Sequence, residues 1–279
     1  MNEENLYTFK ARDQTYLQYY FYGENSKEKP TIVFIHGITA ELHHIQQFAL
    51  KIKTEVNVII PLLRGYDPTL KRGDLYYIGQ YDDDLEDLEI YLREGGIHNL
   101  YWVGHSMGCG NLYRYLEKGC SKGTGIIFLS PFFHPSLPVY RFNQQSDQEE
   151  DQLFEVKFYK SIILYTLHRF KIGLLNRAKI ATIPDDFHQD RKLTLSFRLL
   201  FSRFPVENNL KSLHNSKLPL FMMIGEEDEI TDSSKMCDLW RDITNHPFTV
   251  EQGEDHNSII SSDNTIIKVK NWIKDIQES

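Results

Sequence analysis

The chain is short of cysteine, of net positive charge and of long apolar runs, and each shortage removes a class of protein. Three cysteines in 279 residues, Cys109, Cys120 and Cys237, form an odd set without C-x-x-C spacing. That fits reduced thiols with structural roles better than a disulfide framework or a zinc site. Lys and Arg total 31 against 39 Asp and Glu, a net charge of −8. Such a chain repels a phosphate backbone, so no nucleic-acid partner is expected. The longest aliphatic stretches, such as SIILYTL at 161–167, fall far short of the roughly 20 apolar residues that span a bilayer, and no transmembrane segment is expected. The opening MNEENLYTFKARDQ has neither a basic stretch nor an apolar core, unlike a secretory signal, so a cytoplasmic location is the expectation. Repeats and Gly/Ser-rich linkers are also missing, and the tract NQQSDQEEDQ at 143–152 reads as an exposed polar segment.

What is present suits one large α/β domain or a domain carrying an insertion: 41 % of the residues are hydrophobic, enough for a sizeable core. A hairpin is predicted over LYTFKARD and TYLQYYFYG. Short apolar runs then recur: TIVFIHG at 31, VNVIIPLL at 56, LYWVGHS at 100, GIIFLSP at 125, LPLFMMIGE at 218 and PFTVEQG at 247. Near-continuous runs of this kind mark strands buried on both faces of a mainly parallel sheet. The stretch YDDDLEDLEIYLREGG between two of them places Leu85, Leu88, Tyr91 and Leu92 at helical spacing. Its acidic start, Asp82, Asp83 and Asp84, reads as a solvated group that complements the helix dipole rather than as a metal site. The strand pattern breaks between Ser130 and Leu218. Amphipathic stretches such as LFEVKFYKSIILYTLHRF and RKLTLSFRLLFSRF predict a mostly helical cap over 132–215, inserted between core segments 1–131 and 216–279.

Ser106 lies in VGHSMGCG, after an apolar strand and before the helix-like MGCGNLYRYLEKG. Gly104, Ser106 and Gly108 meet the pattern G-x-S-x-G, in which a sharp strand-to-helix turn lifts the hydroxyl clear of the sheet and leaves no room for side chains two residues away. The turn also sets the hydroxyl at a helix N-terminus, where negative charge is favoured. A serine nucleophile needs a base and an orienting acid. EDEITD and EDHNSII follow two late strands, so Asp228 and His256 fall just past strand C-termini, the edge where α/β sites assemble. By spacing alone Asp232, Glu226, Glu227 and Glu229 rival Asp228. His246 precedes its strand, at the end opposite the site. His43, His44, His134, His168, His188 and His214 show no metal spacing.

FIHGI, VGHSMG, FLSP, IGEEDEIT and EDHNS together resemble the α/β-hydrolase fold superfamily, most of all its capped serine hydrolases of the monoglyceride lipase, lysophospholipase and serine aminopeptidase type. The resemblance covers nearly the whole chain outside the cap. It implies an α/β-hydrolase fold with Ser106 as nucleophile, His256 as general base and Asp228, selected by G-x-x-D from Gly225, as the triad acid. It further implies an oxyanion hole made by the N–H groups of Ile38 and Met107, a structural His36, and neither metal nor organic cofactor. Departures are visible. Where many relatives carry D-x-R-G-x-G-x-S, this chain reads LLRGYDPT, and HGITA replaces a glycine triplet.

The leading expectation is a small-molecule acyl substrate: a carboxylic ester such as a monoacylglycerol or lysophospholipid. Apolar cap residues are more often such an insertion's own core than a substrate wall, and Arg169, Lys171, Arg191 and Arg198 either meet an anionic head group or, the safer reading, form solvated faces. An aminopeptidase anchored by Glu149, Glu150 or Asp151, a thioesterase and a carbon–carbon bond hydrolase share the same triad. A non-catalytic ligand-binding module of the same fold is the reading from another class. Oligomeric state has no signal in the sequence.

Overall fold

The computed structural model describes residues 5–24, 26–40, 42–119, 121–141, 155–187, 191–205 and 210–278. The polar tract 143–152 with its three acidic candidates, Cys120 and His188 lie outside the described residues. In chain order the strands are β1 (Leu6–Lys10), β2 (Tyr16–Tyr22), β3 (Thr31–Ile35), β4 (Asn57–Pro61), β5 (Leu100–His105), β6 (Gly125–Leu129), β7 (Glu155–Val156), β8 (Lys179–Pro184), β9 (Lys192–Ser196), β10 (Leu220–Gly225) and β11 (Phe248–Glu251). The helices are α1 (Leu42–Ile52), α2 (Gln80–Glu94), α3 (Met107–Glu117), α4 (Phe158–Arg169), α5 (Phe197–Phe201), α6 (Lys211–His214), α7 (Ser233–Ile243) and α8 (Asp263–Glu278).

The larger sheet has the order β1-β2-β4-β3-β5-β6-β10-β11. From β4 to β11 all pairings are parallel, while β2 runs antiparallel to both of its neighbours and closes one edge with β1. Every residue of β3, β4, β5, β6 and β10 is buried. Helices cover these strands, so their sequences show unbroken apolar runs instead of alternation. On one side α1 packs against α8, and in a second group α2 and α6 pack on α3. The predicted face of α2 is buried at Leu85, Leu88 and Leu92, each contributing about 1.5–3 kcal/mol. Tyr91 stays 40 % exposed but lays its ring on Phe9.

The acidic start of α2 is not the solvated group the sequence implied. Asp82 and Asp84 are buried, Asp82 against Arg114 and Asp84 against Arg64 at 2.8 Å each. Burial pushes both carboxyls up, that of Asp84 to about 7, although the two guanidinium groups oppose it.

The insertion also differs from the helical expectation. It holds α4, α5 and α6, yet β7, β8 and β9 form a three-stranded antiparallel sheet. The stretch RKLTLSFRLLFSRF divides at Ser196, which caps α5 by accepting from Leu199 N–H. Before that cap, Leu193 and Leu195 are buried while Lys192 and Thr194 are exposed, a period of two. A five-residue alternation is easily absorbed into the helical stretch beside it, because Leu195 and Leu199, on either side of the cap, are four apart and continue a helical spacing.

The insertion is fastened to the core by charge. Arg198, read from the sequence as solvated, is buried and gives two 2.6 Å bonds to the Asp74 carboxylate and one of 2.7 Å to Tyr76 O. Arg72 binds Asp185 through both terminal nitrogens, at 2.5 and 2.7 Å. Paired forks of this kind hold geometry as well as energy.

Candidate active site

Ser106 joins β5 to α3 with φ +52° and ψ −123°, a backbone region costly for any residue but glycine. The flanking glycines are required by space. A Cβ on Gly104 would lie 2.8 Å from the Cys109 nitrogen, and one on Gly108 2.1 Å from the Ile35 oxygen. Gly108→Ala must push α3 off β3, and is expected to cost about 3 kcal/mol, read as a clearly lowered Tm in calorimetry. An unchanged Tm would show that the turn has slack. Cys109 is fully buried and its thiol donates to Gly104 O at 3.1 Å, consistent with packing and not with nucleophilic attack.

Asp228 follows β10 and His256 follows β11, so the sheet brings two residues far apart in sequence into one corner. His256 Nδ1 lies 3.0 and 2.9 Å from the two Asp228 oxygens, with both side chains buried. Asp228 Oδ1 also accepts from the N–H groups of Ile230 and Thr231. Burial alone would raise the Asp228 pKa, but the His256 ring, its hydrogen bond and the Thr231 N–H hold the carboxyl below its usual range. Burial would lower that of His256, and the Asp228 charge and hydrogen bond more than offset it, so the imidazole lies above 6.5. With Nδ1–H given to Asp228, His256 Nε2 is an acceptor. It is buried and makes no hydrogen bond among the described residues, Ser106 Oγ included.

The rival acids have other partners. Asp232 caps α7 by accepting from Lys235 N–H, and Glu229 accepts from the backbone N–H of His256, while Glu226 and Glu227 are exposed. His246 uses its carbonyl to hold the Trp240 indole, before β11.

The HG pair lies beside the serine: a Cβ on Gly37 would meet Ser106 Cβ at 3.1 Å. The N–H groups of Ile38 and Met107 donate to no backbone carbonyl among the described residues. His36 is buried edge-on to Tyr66, its Nδ1 2.7 Å from Gly37 O, and burial with the charge of Arg203 pushes its pKa down to about 3. At that pKa the ring is neutral near pH 7.

Two further residues escaped the sequence reading. His105, before the serine, donates Nε2–H to the His256 carbonyl at 2.7 Å and lays its ring 4.9 Å from that of His256. It ties the strand that leads into Ser106 to the loop that carries His256, and its place inside GHSMG was a usable signal. Arg203, from the insertion, is fully buried; one terminal nitrogen donates to His36 O and to Gly37 O. In a trans peptide C=O and N–H point opposite ways, so holding the Gly37 carbonyl turns the Ile38 N–H away from Arg203. No local pattern announces it.

A surface depression lined by Arg64, Lys71, Asp74 and Gln80 among others contains none of these residues. Its charged walls are already paired with one another or with Asp84 and Arg198.

Residues 30–263 match the model of a family described as the alpha/beta hydrolase fold. A Mycoplasma genitalium protein assigned by name to the esterases and lipases is 21 % identical over 227 residues, 77 % of this chain and 75 % of that one. Among solved structures the fold is similar to a soluble variant of monoglyceride lipase from Saccharomyces cerevisiae, in complex with a substrate analog. There the TM-score is 0.69 at 18 % identity, covering 97 % of this chain and 94 % of that one. It is also similar to a thermophilic esterase from Thermogutta terrifontis, with a TM-score of 0.64 at 15 % identity, over 97 % and 98 % of the two chains.

Proposed function

The chain belongs to the alpha/beta hydrolase fold family, and from that premise we propose that it is a serine hydrolase of carboxylic esters working through Ser106, His256 and Asp228. One observation carries the reading: a buried Asp228–His256 pair, its outer nitrogen unpartnered, at the strand ends that also present a strained serine. His256 Nε2 takes the Ser106 proton as Oγ attacks the acyl carbon. The Ile38 and Met107 N–H groups hold the tetrahedral oxyanion, a contribution of about 10²–10³ in rate per donor. His256 then gives the proton to the departing alcohol. Water, deprotonated by His256, releases the acid from Ser106.

Ester cleavage rather than amide cleavage is supported by the names of the similar proteins, which are esterases and lipases. The buried free thiols of Cys109 and Cys237 support a cytoplasmic setting. Aryl esters of graded acyl length are expected to turn over at least about 10²-fold faster than matched aminoacyl amides, the ester being the easier bond for one triad. Faster amide cleavage would establish the peptidase reading instead.

The pH profile follows from His256. As a base it must be neutral, and Asp228 raises its pKa above 6.5. The acid limb of kcat/KM is therefore expected above pH 6.5, falling about tenfold per pH unit as His256 takes up a proton. A limb centred below 6.5 would contradict the pairing.

A further inference from the structure

Large apolar side chains left in solvent crowd one part of the insertion. Ile162, Ile163, Phe170, Ile172, Leu174 and Leu175 are all exposed, Phe170 at 74 % and Leu174 at 87 %. Helix α4 packs inward through Leu164, whereas Ile162, Ile163, Thr166 and Phe170 lie on its other side by helical spacing. A surface helix ordinarily solvates that outer face with charge. The segment that follows, 171–177, continues the apolar surface without regular structure long enough to bury it.

Charge marks the same place. From Val156 to Pro184 there are six Lys and Arg and no Asp or Glu, in a chain whose net charge is −8. Lys157, Lys160, Arg169, Lys171 and Arg177 are exposed, interleaved with the apolar residues. Among the described residues no helix is long and apolar enough to cross a membrane, so the segment is suited to lie on a bilayer and not to span it.

We propose that this face of the insertion docks the protein on an anionic phospholipid surface. Ile163, Phe170 and Leu174 enter the boundary between headgroups and acyl chains, and Lys157, Lys160, Arg169, Lys171 and Arg177 meet the lipid charges. Both halves of the patch are then used, aliphatic and basic. A second copy of the chain fits less well, because a two-fold contact through this face would set the cations of one copy against those of the other. The docking does not depend on the reaction proposed above, since it is read from binding.

The test is co-sedimentation of the full chain with vesicles of phosphatidylcholine alone or with about one-third phosphatidylserine. Binding to the anionic vesicles is expected to be at least about tenfold stronger, and to fall about tenfold as salt rises from about 0.1 to about 0.5 M. F170E/L174E changes two exposed side chains. It is expected to lose vesicle binding while hydrolysing a short water-soluble aryl ester as wild type does. R169E/K171E/R177E is expected to abolish the preference for phosphatidylserine. The proposal fails if wild type does not sediment with anionic vesicles at low salt, or if F170E/L174E binds them equally well. It also fails if the patch instead joins two copies, seen as a wild-type dimer that F170E/L174E converts to monomer with no vesicle binding by either.

Discussion

Ser106→Ala is expected to reduce ester turnover by about 10⁴- to 10⁶-fold and to abolish labelling by a fluorophosphonate probe. No other described hydroxyl combines the features of this one. Its backbone is held at φ +52° between glycines that cannot carry a Cβ, the start of α3 lies directly beyond it, and Gly37 is packed against its Cβ. Alanine keeps the strained backbone and removes only the oxygen, so the unfolding temperature should remain that of wild type. Persistent labelling of folded Ser106→Ala would place the nucleophile elsewhere. Absence of labelling in wild type would favour the non-catalytic module.

Asp228→Asn is expected to cost about 10⁴-fold in kcat, for a reason that lies in one proton. The carboxylate accepts from His256 Nδ1 through either oxygen, and Oδ1 is also engaged by the N–H groups of Ile230 and Thr231. In the amide the remaining oxygen keeps the backbone bonds, so the NH₂ faces the ring. The imidazole must then accept at Nδ1 and carry its proton on Nε2, where no serine proton can be received. Asp232→Ala gives the contrast. It removes the cap of α7 and costs about 1 kcal/mol of stability, with kcat unchanged. Equal losses of kcat in the two variants would mean that Asp228 is not the orienting acid.

The core strands β3, β4, β5, β6 and β10 were legible because burial on both faces leaves an uninterrupted apolar run; PFTVEQG also became a strand, but β11 forms the sheet edge and is buried only at Glu251. The serine turn was legible because its steric demands fall on Gly104 and Gly108, within two residues. The insertion was less so: β9 and α5 share a leucine-rich stretch whose period changes at Ser196, within a few residues. Asp82, Asp84 and Arg198 were misread as solvated, since a charged residue looks alike in sequence whether or not its partner is buried with it.

The amino-acid sequence by itself determined the elements and the chemical types at their ends: a parallel α/β sheet, a serine in a glycine-bound turn, and an acid and a histidine after late strands. These are local matters of apolar period, backbone space and chain order. By residue type and spacing Asp228 and Asp232 were equivalent, and only the tertiary structure decided which acid meets the ring, since the two lie four residues apart in the loop between β10 and α7 and bond to different partners. It alone brought His105 to the His256 carbonyl and Arg203 from the insertion to the carbonyls of His36 and Gly37. Such contacts are set by how strands are ordered and how an insertion folds back. Neither leaves a spacing in the chain.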